Sequence, residues 1–342
     1  MHLAMRCIVI AALALVFGAG PAPAQSEADI KAKIKALQPS DYPKEPLEFI
    51  VVYPAGGGMD VTARILAKYV EKWAGHKVIV TNKVGGAGMV GHTYLGAQAP
   101  NDGYTIGIVS TYWTDAFLRS QGKFDYKSLE PLAFINYDPV TWIVRSDGPF
   151  KDAALKDLVA YAKQKPGELK IGLVPGISSE FIAEQFEQIA GAKVTKVPFQ
   201  GGAPSITALL GGHIDVSFGF YGEYRGHLEA GKVKGIGIAA TEGVANLPGV
   251  PTFNDALGVD EIVWAAWRYA GVPKGTPPAR KAWLEAALNA ALNDPEIGPE
   301  YTKTGAIMDR KRLNSAQAVA AEVDKLAMRE RAFFVRTGRI KE

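Results

Sequence analysis

The stretch that decides the fold is Phe49-Ile-Val-Val-Tyr-Pro54, followed by Ala55-Gly-Gly-Gly-Met-Asp60 and then by residues 61–73. Its first part is a short apolar run rich in β-branched and aromatic residues, which predicts a buried strand. Apolar residues recur at helical spacing from Val61 to Trp73, and Asp60 is a candidate helix N-cap. A glycine loop between a strand and a helix exposes backbone N–H groups at the positive end of the helix, which favours an anion. No Lys-Ser or Lys-Thr follows the glycines, so the loop suits a carboxylate better than a triphosphate.

The N-terminus has the pattern of a secretory signal. Arg6 precedes an almost entirely apolar run from Cys7 to Gly20, and Ala22-Pro-Ala24 places small residues where a signal peptidase cleaves. A retained membrane anchor is the alternative, but the run is short for a span. Cleavage after Ala24 removes the only cysteine and therefore all disulfide and thiol chemistry. We expect a periplasmic protein, and a net charge of +3 gives no reason to expect nucleic acid as a partner.

Strand and helix patterns alternate along the rest of the chain, which predicts an α/β fold with parallel sheets. After a polar lead-in at 25–46 with a short surface helix, strands are predicted at 78–81, 104–110, 170–174, 194–198, 214–218 and 234–239. Helices are predicted at 85–98, 153–165, 179–190, before residue 210, and at 277–293 and 315–336. A chain of 342 residues that is 48% hydrophobic suggests two domains with a large core.

Several further motifs occur together in a fixed order. They are Val52–Asp60, Asn82-Lys-Val-Gly-Gly-Ala-Gly-Met-Val-Gly91, Asn101-Asp-Gly-Tyr-Thr105, Pro198-Phe-Gln-Gly-Gly-Ala-Pro204, Leu210–Gly219, Leu247-Pro-Gly-Val-Pro251 and Val272-Pro-Lys-Gly-Thr-Pro277. With these motifs the chain resembles the Bug family, the extracytoplasmic solute receptors of tripartite tricarboxylate transporters. The resemblance covers about residue 47 to the C-terminus.

The resemblance implies a two-lobed type II periplasmic binding protein fold with two crossover strands and a ligand cleft between the lobes. It places the first crossing near residues 134–144, the return near 262–269, and the final helices on lobe one. The expected divisions are a signal peptide at 1–24, the lead-in at 25–46, lobe one at 47–137 with 263–342, and lobe two at 138–262. In open α/β sheets, ligands lie beyond the carboxyl ends of the strands, where the glycine loops also occur.

Candidate ligand-binding residues on lobe one follow its strands. They are Tyr53, Ala55, Gly56, Gly57, Gly58, Asp60, Gly86, Ser110, Thr111 and Trp113. The three glycines at 56–58 could instead only permit a tight turn. The segment from Gly86 to Gly91 also matches a dinucleotide fingerprint, but no acidic residue closes the next strand and an exported chain meets little NAD.

Candidate ligand-binding residues on lobe two and at the return crossing are Ser178, Ser179, Gln200, Gly201, Phe220, Tyr221 and Arg268. The serines precede a helix, so they either cap it or offer hydroxyl groups to the ligand. Arg268 either grips a carboxylate as a bidentate fork or is a surface residue. The aromatic residues, with Tyr112 beside Trp113, either line the cleft or belong to the core.

No enzyme signature and no metal-ligand spacing is present in the sequence, so we expect neither catalysis nor a cofactor or metal. The expected function is a monomeric solute-binding protein that delivers a small carboxylate to membrane importer subunits. The alternatives are a secreted α/β enzyme acting on a small acid and a periplasmic sensor subunit. We further expect an aromatic or dicarboxylic acid without a free amine. The resemblance implies an acidic residue after Asp215-Val-Ser-Phe-Gly219 in amine-binding relatives, whereas Phe220 and Tyr221 follow here. Glu223 is the residue that could reverse this expectation.

Overall fold

The structure is a computed structural model and describes residues 26–120, 122–260, 262, 264–308 and 313–341. The predicted signal peptide lies outside these residues. The strands within them are β1 Leu47–Val51, β2 Val78–Asn82, β3 Thr105–Ser110, β4 Leu129–Pro139, β5 Thr141–Arg145, β6 Lys170–Leu173, β7 Thr195–Pro198, β8 Ser217–Gly219, β9 Val233–Ile238 and β10 Ala265–Pro273.

The helices within the same residues confirm most of the helices predicted from the sequence. They are α1 Glu27–Leu37, α2 Gly58–Ala74, α3 Met89–Ala97, α4 Tyr112–Arg119, α5 Leu155–Gln164, α6 Ser178–Ala190, α7 Gly202–Leu210, α8 Tyr221–Glu229, α9 Phe253–Leu257, α10 Pro278–Leu292, α11 Ile297–Thr304 and α12 Ala316–Arg336.

The molecule has two lobes, each built on its own sheet. The sheet of the first lobe has the order β2-β1-β3-β10-β4, with β1 parallel to β2 and β3 and with β10 antiparallel to its two neighbours. Its central strand β3 is buried along its whole length, because helices cover both faces. The glycine loop between β1 and α2 consequently lies at the carboxyl edge of this sheet, as the strand–loop–helix pattern predicts.

The second lobe joins two smaller sheets. Strand β5 lies between β8 and β9, and both neighbours are antiparallel to it. Strands β6 and β7 form a parallel pair, and a bridge between Ile171 and Val216 joins this pair to the strand segment before β8. The core of the first lobe is a cluster around Leu66 and Ile106, and the second lobe has two clusters, one around Trp142 and Phe186 and one around Ile206.

The chain passes between the lobes at two adjacent points. Only Val140 separates β4 of the first sheet from β5 of the second. The return runs beside it, because the N–H of Val140 donates to the carbonyl of Trp264 at 3.1 Å and Ala265 pairs with Pro139. These segments are the two crossing strands expected of a type II binding fold.

The C-terminal helix departs from the expectation that the final helices lie on lobe one. Val319 and Val323 of α12 do pack in the core of the first lobe. Phe333 and Phe334, about three turns further on, pack in the core of the second lobe, where both rings contact Phe181 with centroids 5.0 and 5.4 Å away. A long amphipathic helix spans more than one lobe when its apolar stripe is continuous, and α12 therefore contacts both.

The lead-in before β1 packs on the first lobe. Ser26 caps α1 by accepting the N–H of Asp29, and Ile34 is its buried residue. Tyr42 is also buried, and its hydroxyl donates to the carbonyl of Gly103 at 2.6 Å. The lead-in is therefore part of the first lobe's packing.

Candidate functional site

The glycine loop of the first lobe leads directly into α2. The helix begins at Gly58 with Gly57 as its N-cap, so the prediction that Asp60 is the N-cap is wrong. Asp60 lies in the first turn, where the glycine loop allows the helix to begin earlier. Its buried carboxylate accepts the N–H of Gly56 at 2.9 Å and the Nε–H of Arg64 at 2.9 Å.

These contacts fix the loop and determine which of its backbone N–H groups are not used within the protein. Burial opposes ionisation of Asp60, but hydrogen bonds from Arg64, the N–H of Gly56 and Asn82 hold its pKa below the usual value. The carboxylate is therefore an internal anchor that uses the N–H of Gly56. The N–H groups of Gly58 and Met59, at the first helical positions, have no acceptor within the helix and point along its positive end.

Arg268 on β10 lies directly under the start of α2. It is 2% exposed, and a Cβ on Gly58 would be 2.9 Å from its Nη2 atom. The surface interpretation of Arg268 is therefore wrong, because the β10 register turns the side chain into the molecule.

The guanidinium of Arg268 is also not a free bidentate fork. Its Nη2 donates to Oδ2 of Asp138 at 3.1 Å, and its Nη1 donates to Oδ1 of Asn136 at 3.1 Å. A further bond runs from Nη1 to Oγ1 of Thr62 at 3.3 Å. Arg268 thus places positive charge beneath Gly58 while its fork is held by protein groups.

The second lobe faces this point with the start of α8. The ring of Phe220 is 5.8 Å from Cζ of Arg268, which puts aromatic surface against the guanidinium. Glu223 accepts the backbone N–H of Phe220 at 3.0 Å. Its carboxylate also lies against Gly202, the first residue of α7, and leaves no room for a Cβ there. Burial, together with the nearby Asp138, raises the pKa of Glu223 to about 7 against the effect of the Phe220 N–H and Arg268.

The serines at the start of α6 do not cap it. The N-cap is Ile177, without a side-chain bond, and Ser178 and Ser179 are the first two helical residues. Oγ of Ser179 accepts the N–H of Val174 at 3.0 Å, so this hydroxyl holds the preceding loop. Oγ of Ser178 lies 2.7 Å from the hydroxyl of Tyr112 on α4, and this hydrogen bond joins the lobes.

The residues at the end of β3 mainly stabilise the turn into α4. Ser110 is buried, and its Oγ accepts the N–H of Tyr112 at 3.3 Å. Thr111 donates from Oγ1 to the carbonyl of Ala265 at 3.1 Å. Tyr53 packs edge-on against Tyr112, with ring centroids 6.2 Å apart. This turn therefore positions Tyr53 and Tyr112 near the junction of the lobes.

Trp113 is a core residue, in contrast to the expectation that it lines the cleft. It is fully buried in the first lobe, its indole N–H donates to the carbonyl of Tyr126 at 2.7 Å, and its ring lies 4.8 Å from that of Phe124. The first turn of α4 directs Tyr112 toward the second lobe and Trp113 into the core of the first lobe.

The remaining predicted residues differ in exposure. Ala55, Gly86 and Gln200 are exposed, whereas Gly201 and Tyr221 are partly buried. Gly201 is the N-cap of α7, and Tyr221 is the first residue of α8. The structure thus brings Gly58, Arg268, Phe220 and the start of α7 to one region, and the Ser178–Tyr112 pair to another point between the lobes.

Asp138 and Asn136 are the principal residues that sequence reasoning missed. Both lie on β4, are buried and bind Arg268. The available signal is an acidic and an amide residue within the apolar segment 132–144, opposite an arginine in the matching return segment. A charge in such a segment requires a partner.

The described residues hold no group of three or more His, Cys, Asp or Glu side chains that could bind a metal ion. None of the helices that the structure describes is long and apolar enough to cross a membrane.

Comparisons with known proteins bear on the family and the fold. The sequence profile described as "Tripartite tricarboxylate transporter family receptor" matches residues 62–332. Protein BugT of Bordetella pertussis is 30% identical over 268 residues, which are 78% of this chain and 82% of BugT. Among solved structures, the periplasmic binding protein BugD is 27% identical with a TM-score of 0.76, over 87% of this chain and 99% of BugD.

Two further solved structures are similar over comparable shares of this chain. MatC from Rhodopseudomonas palustris, solved with bound malate, is 25% identical with a TM-score of 0.74, over 84% of this chain and 98% of MatC. An R. palustris protein solved with adipate is 25% identical with a TM-score of 0.75, over 87% of this chain and 99% of its own. The profile match alone spans most of the sequence, and the chain belongs to the tripartite tricarboxylate transporter receptor family, the Bug family of solute-binding proteins.

Proposed function

We propose that this chain is a periplasmic receptor that captures a small carboxylate between its lobes and delivers it to the membrane subunits of a tripartite importer. The observation that carries the proposal is the start of α2 at Gly58, which lies against the buried guanidinium of Arg268. Free N–H groups at a helix N-terminus favour a carboxylate, and the guanidinium behind them is held in place by its buried pair with Asp138.

The second lobe completes the cleft. The first turns of α6 and α7, at Ser178 and Gly202, add helix N-termini on the opposite side. Ligand binding then closes the lobes about the crossing at Val140, because contacts from both sides are made only in the closed state. Malate and adipate in two structural relatives support the dicarboxylic half of the expected ligand class, a small aromatic or dicarboxylic acid.

The receptor acts as a monomer and does not transform its ligand. Delivery to an importer requires release of an unchanged ligand, so incubation with any bound acid should leave that acid intact.

The proposal is tested with the mature protein, beginning at Gln25, in a thermal-shift screen over mono-, di- and aromatic carboxylates, followed by calorimetry on each acid that shifts Tm. A ligand at a hundred times its Kd stabilises the folded state by about 2.7 kcal/mol, which gives a concentration-dependent rise in Tm. Chromatography of the recovered acid checks for turnover. A screen in which no carboxylate raises Tm, or in which the acid is converted, contradicts the proposal.

A further inference from the structure

Two helices from opposite lobes meet end to end. Helix α11 belongs to the first lobe, where Tyr301 is buried and its hydroxyl donates to the carbonyl of Thr62 on α2 at 2.9 Å. Helix α8 lies between β8 and β9 of the second lobe, and its Tyr224 is buried in a core cluster of that lobe. The last residue of α11, Thr304, lies against the second residue of α8, Gly222. The negative end of one helix therefore faces the positive end of the other.

The last carbonyl groups of α11 are bonded by side chains of the second lobe. A helix leaves its final carbonyls without partners inside the helix. The side-chain amide of Asn246 donates to the carbonyl of Thr302 at 3.2 Å, and Nη1 of Arg225 on α8 donates to the carbonyl of Lys303. A cation at this end also suits the partial negative charge of a helix C-terminus. The capping of α11 thus depends in part on contact between the lobes.

Glycines on both sides permit this close approach. Gly305, the C-cap of α11, has a left-handed φ of 85°, and a Cβ there would collide with Cβ of Tyr221. A Cβ on Gly222 would lie 2.8 Å from the carbonyl oxygen of Thr304, so one of the two helices would have to move. A Cβ on Gly226, one turn further along α8, would meet no atom of the described residues within 4 Å. The contact is therefore sensitive to a single methyl group on Gly222.

Both helix ends also connect to the cleft. Helix α11 holds α2, whose start at Gly58 is the proposed carboxylate site, through the hydroxyl of Tyr301. In the second lobe, the backbone N–H of Tyr221 at the start of α8 donates to Asp138, the partner of Arg268. The contact thus lies close to the crossing strands, where a small displacement is amplified at the far side of the cleft. A gap between α8 and α11 would therefore move the second lobe away from the start of α2.

We propose that the contact of Gly222 and Arg225 with the C-terminus of α11 is a clasp that holds the lobes together around the ligand. The inference rests on the proposed function, which supplies the ligand and the opening and closing of the lobes. The clasp stabilises the closed state and so slows release of the ligand, whereas the ligand enters the open state, in which the clasp is not formed. Gly222 and Arg225 are positioning residues, and they act on every acid that binds.

The first measurement needs no ligand. Cys7 is the only cysteine in the sequence, so a chain that begins at Gln25 can be spin-labelled selectively at Ile79→Cys in the first lobe and Gln164→Cys in the second. Both positions are exposed. Electron paramagnetic resonance then gives the distribution of distances between the two labels, which reports the separation of the lobes.

The matched variants in this labelled protein are Gly222→Ala and Gly226→Ala, which make the same change on the same helix. We expect the mean label distance to increase in Gly222→Ala and to stay as in the wild type in Gly226→Ala. Urea unfolding of the same proteins checks stability, and a positioning role predicts similar midpoints for both variants. Identical distance distributions in the two variants would overturn the clasp, whatever their stabilities.

A second pair of variants tests the capping without adding a methyl group, and it replaces the first pair if Gly222→Ala fails to fold. Arg225→Ala removes both the bond to the carbonyl of Lys303 and the 3.6 Å ion pair with Glu229. Glu229→Gln is the control, because it removes the ion pair alone. We expect the label distance to increase in Arg225→Ala and to be unchanged in Glu229→Gln. Equal distances in these two variants would also contradict the clasp.

The second measurement uses succinate, adipate and benzoate as probes in stopped-flow fluorescence. For each acid that binds, we expect dissociation about tenfold faster from Gly222→Ala than from Gly226→Ala with similar association rates, since related complexes differ mainly in their dissociation rates. Equal dissociation rates would overturn the clasp and leave the proposed function intact. Failure of all three acids to bind the wild type would count against the proposed function, while the label distances would still decide the clasp.

Discussion

Nη2 of Arg268 lies 3.1 Å from Oδ2 of Asp138, and the two side chains are 2% and 4% exposed. The pair joins the two strands that cross between the lobes, since Arg268 is on β10 and Asp138 is on the adjacent β4. It therefore fixes the two crossing strands relative to each other and at the same time positions the guanidinium under Gly58.

Asp138→Asn should destabilise the unliganded protein by about 3–5 kcal/mol, because it removes one partner of a buried ion pair and leaves the guanidinium uncompensated. Urea unfolding at pH 7 measures this change. The control is Asp147→Asn, whose carboxylate is 78% exposed in its 2.8 Å pair with Arg145 and should contribute less than about 1 kcal/mol. Similar small losses in both variants would mean that the buried pair is not a structural constraint.

Gly58→Ala should weaken carboxylate binding roughly tenfold, or about 1.4 kcal/mol, because the new methyl group would press on Nη2 of Arg268 at 2.9 Å. Gly298→Ala on α11 is the control, since a Cβ there would meet nothing within 4 Å. Calorimetry with the acid that gives the largest thermal shift compares the two. Equal affinities in both variants would separate Gly58 from the binding site.

Local patterns in the sequence predict much of this fold. The run from Phe49 to Trp73 predicts a strand, a loop and a helix. A continuous apolar segment and apolar residues at helical spacing can each be recognised within a few residues. The same holds for the helix that ends at Ala190 and is stopped by Gly191 with φ 57°, a conformation that glycine adopts readily. Such signals depend on neighbours in sequence and need no knowledge of tertiary contacts.

The site is less predictable, since its contacts join distant residues. Asp138 and Arg268 are 130 residues apart, and only the β4–β10 register makes them partners. The burial of Trp113 depends on Phe124 and Tyr126, which fold back over it. Candidate lists drawn from motifs alone therefore place Trp113 in the cleft and leave out Asp138.

Phe334→Ala should lower the free energy of unfolding by about 3–5 kcal/mol, the usual cost of removing a buried phenylalanine. Phe334 is 1% exposed at the end of α12, with its ring 5.4 Å from that of Phe181 on the second lobe. Met328→Ala on the same helix is the control, because Met328 is 65% exposed. Urea unfolding should separate the variants, and a loss below 1 kcal/mol for Phe334→Ala would contradict docking of α12 on the second lobe.

Export should remove residues 1–24. The basic residue Arg6, the apolar run from Cys7 and the small residues at Ala22 and Ala24 form a signal peptide pattern. Mass spectrometry of the periplasmic fraction should find Gln25 as the first residue of the protein. A secreted or membrane-bound protein that retains Met1 would show that the segment is not cleaved.

His92 should make stability depend on pH. The ring is fully buried, neither nitrogen has a hydrogen-bond partner among the described residues, and the nearest aromatic rings are those of Trp113 and Tyr53 at 5.7 and 6.2 Å. Burial, with a smaller contribution from Arg119, lowers the pKa of His92 from 6.5 to about 3. The folded state therefore keeps the ring neutral, whereas the unfolded state takes up a proton below pH 6.5.

Because the unfolded state binds the additional proton, the stability contributed by neutral His92 is present above pH 6.5 and is lost as the pH falls toward 3. The loss approaches about 1.4 kcal/mol per pH unit, or roughly 2 kcal/mol between pH 6.5 and 5. His92→Phe, which replaces the ring by one that does not titrate, should flatten the pH dependence of urea unfolding over this interval. His213→Asn, at an exposed histidine, is the control. An unchanged slope in His92→Phe would show that His92 is protonated in the folded protein, and would require a hydrogen-bond acceptor for its ring nitrogens.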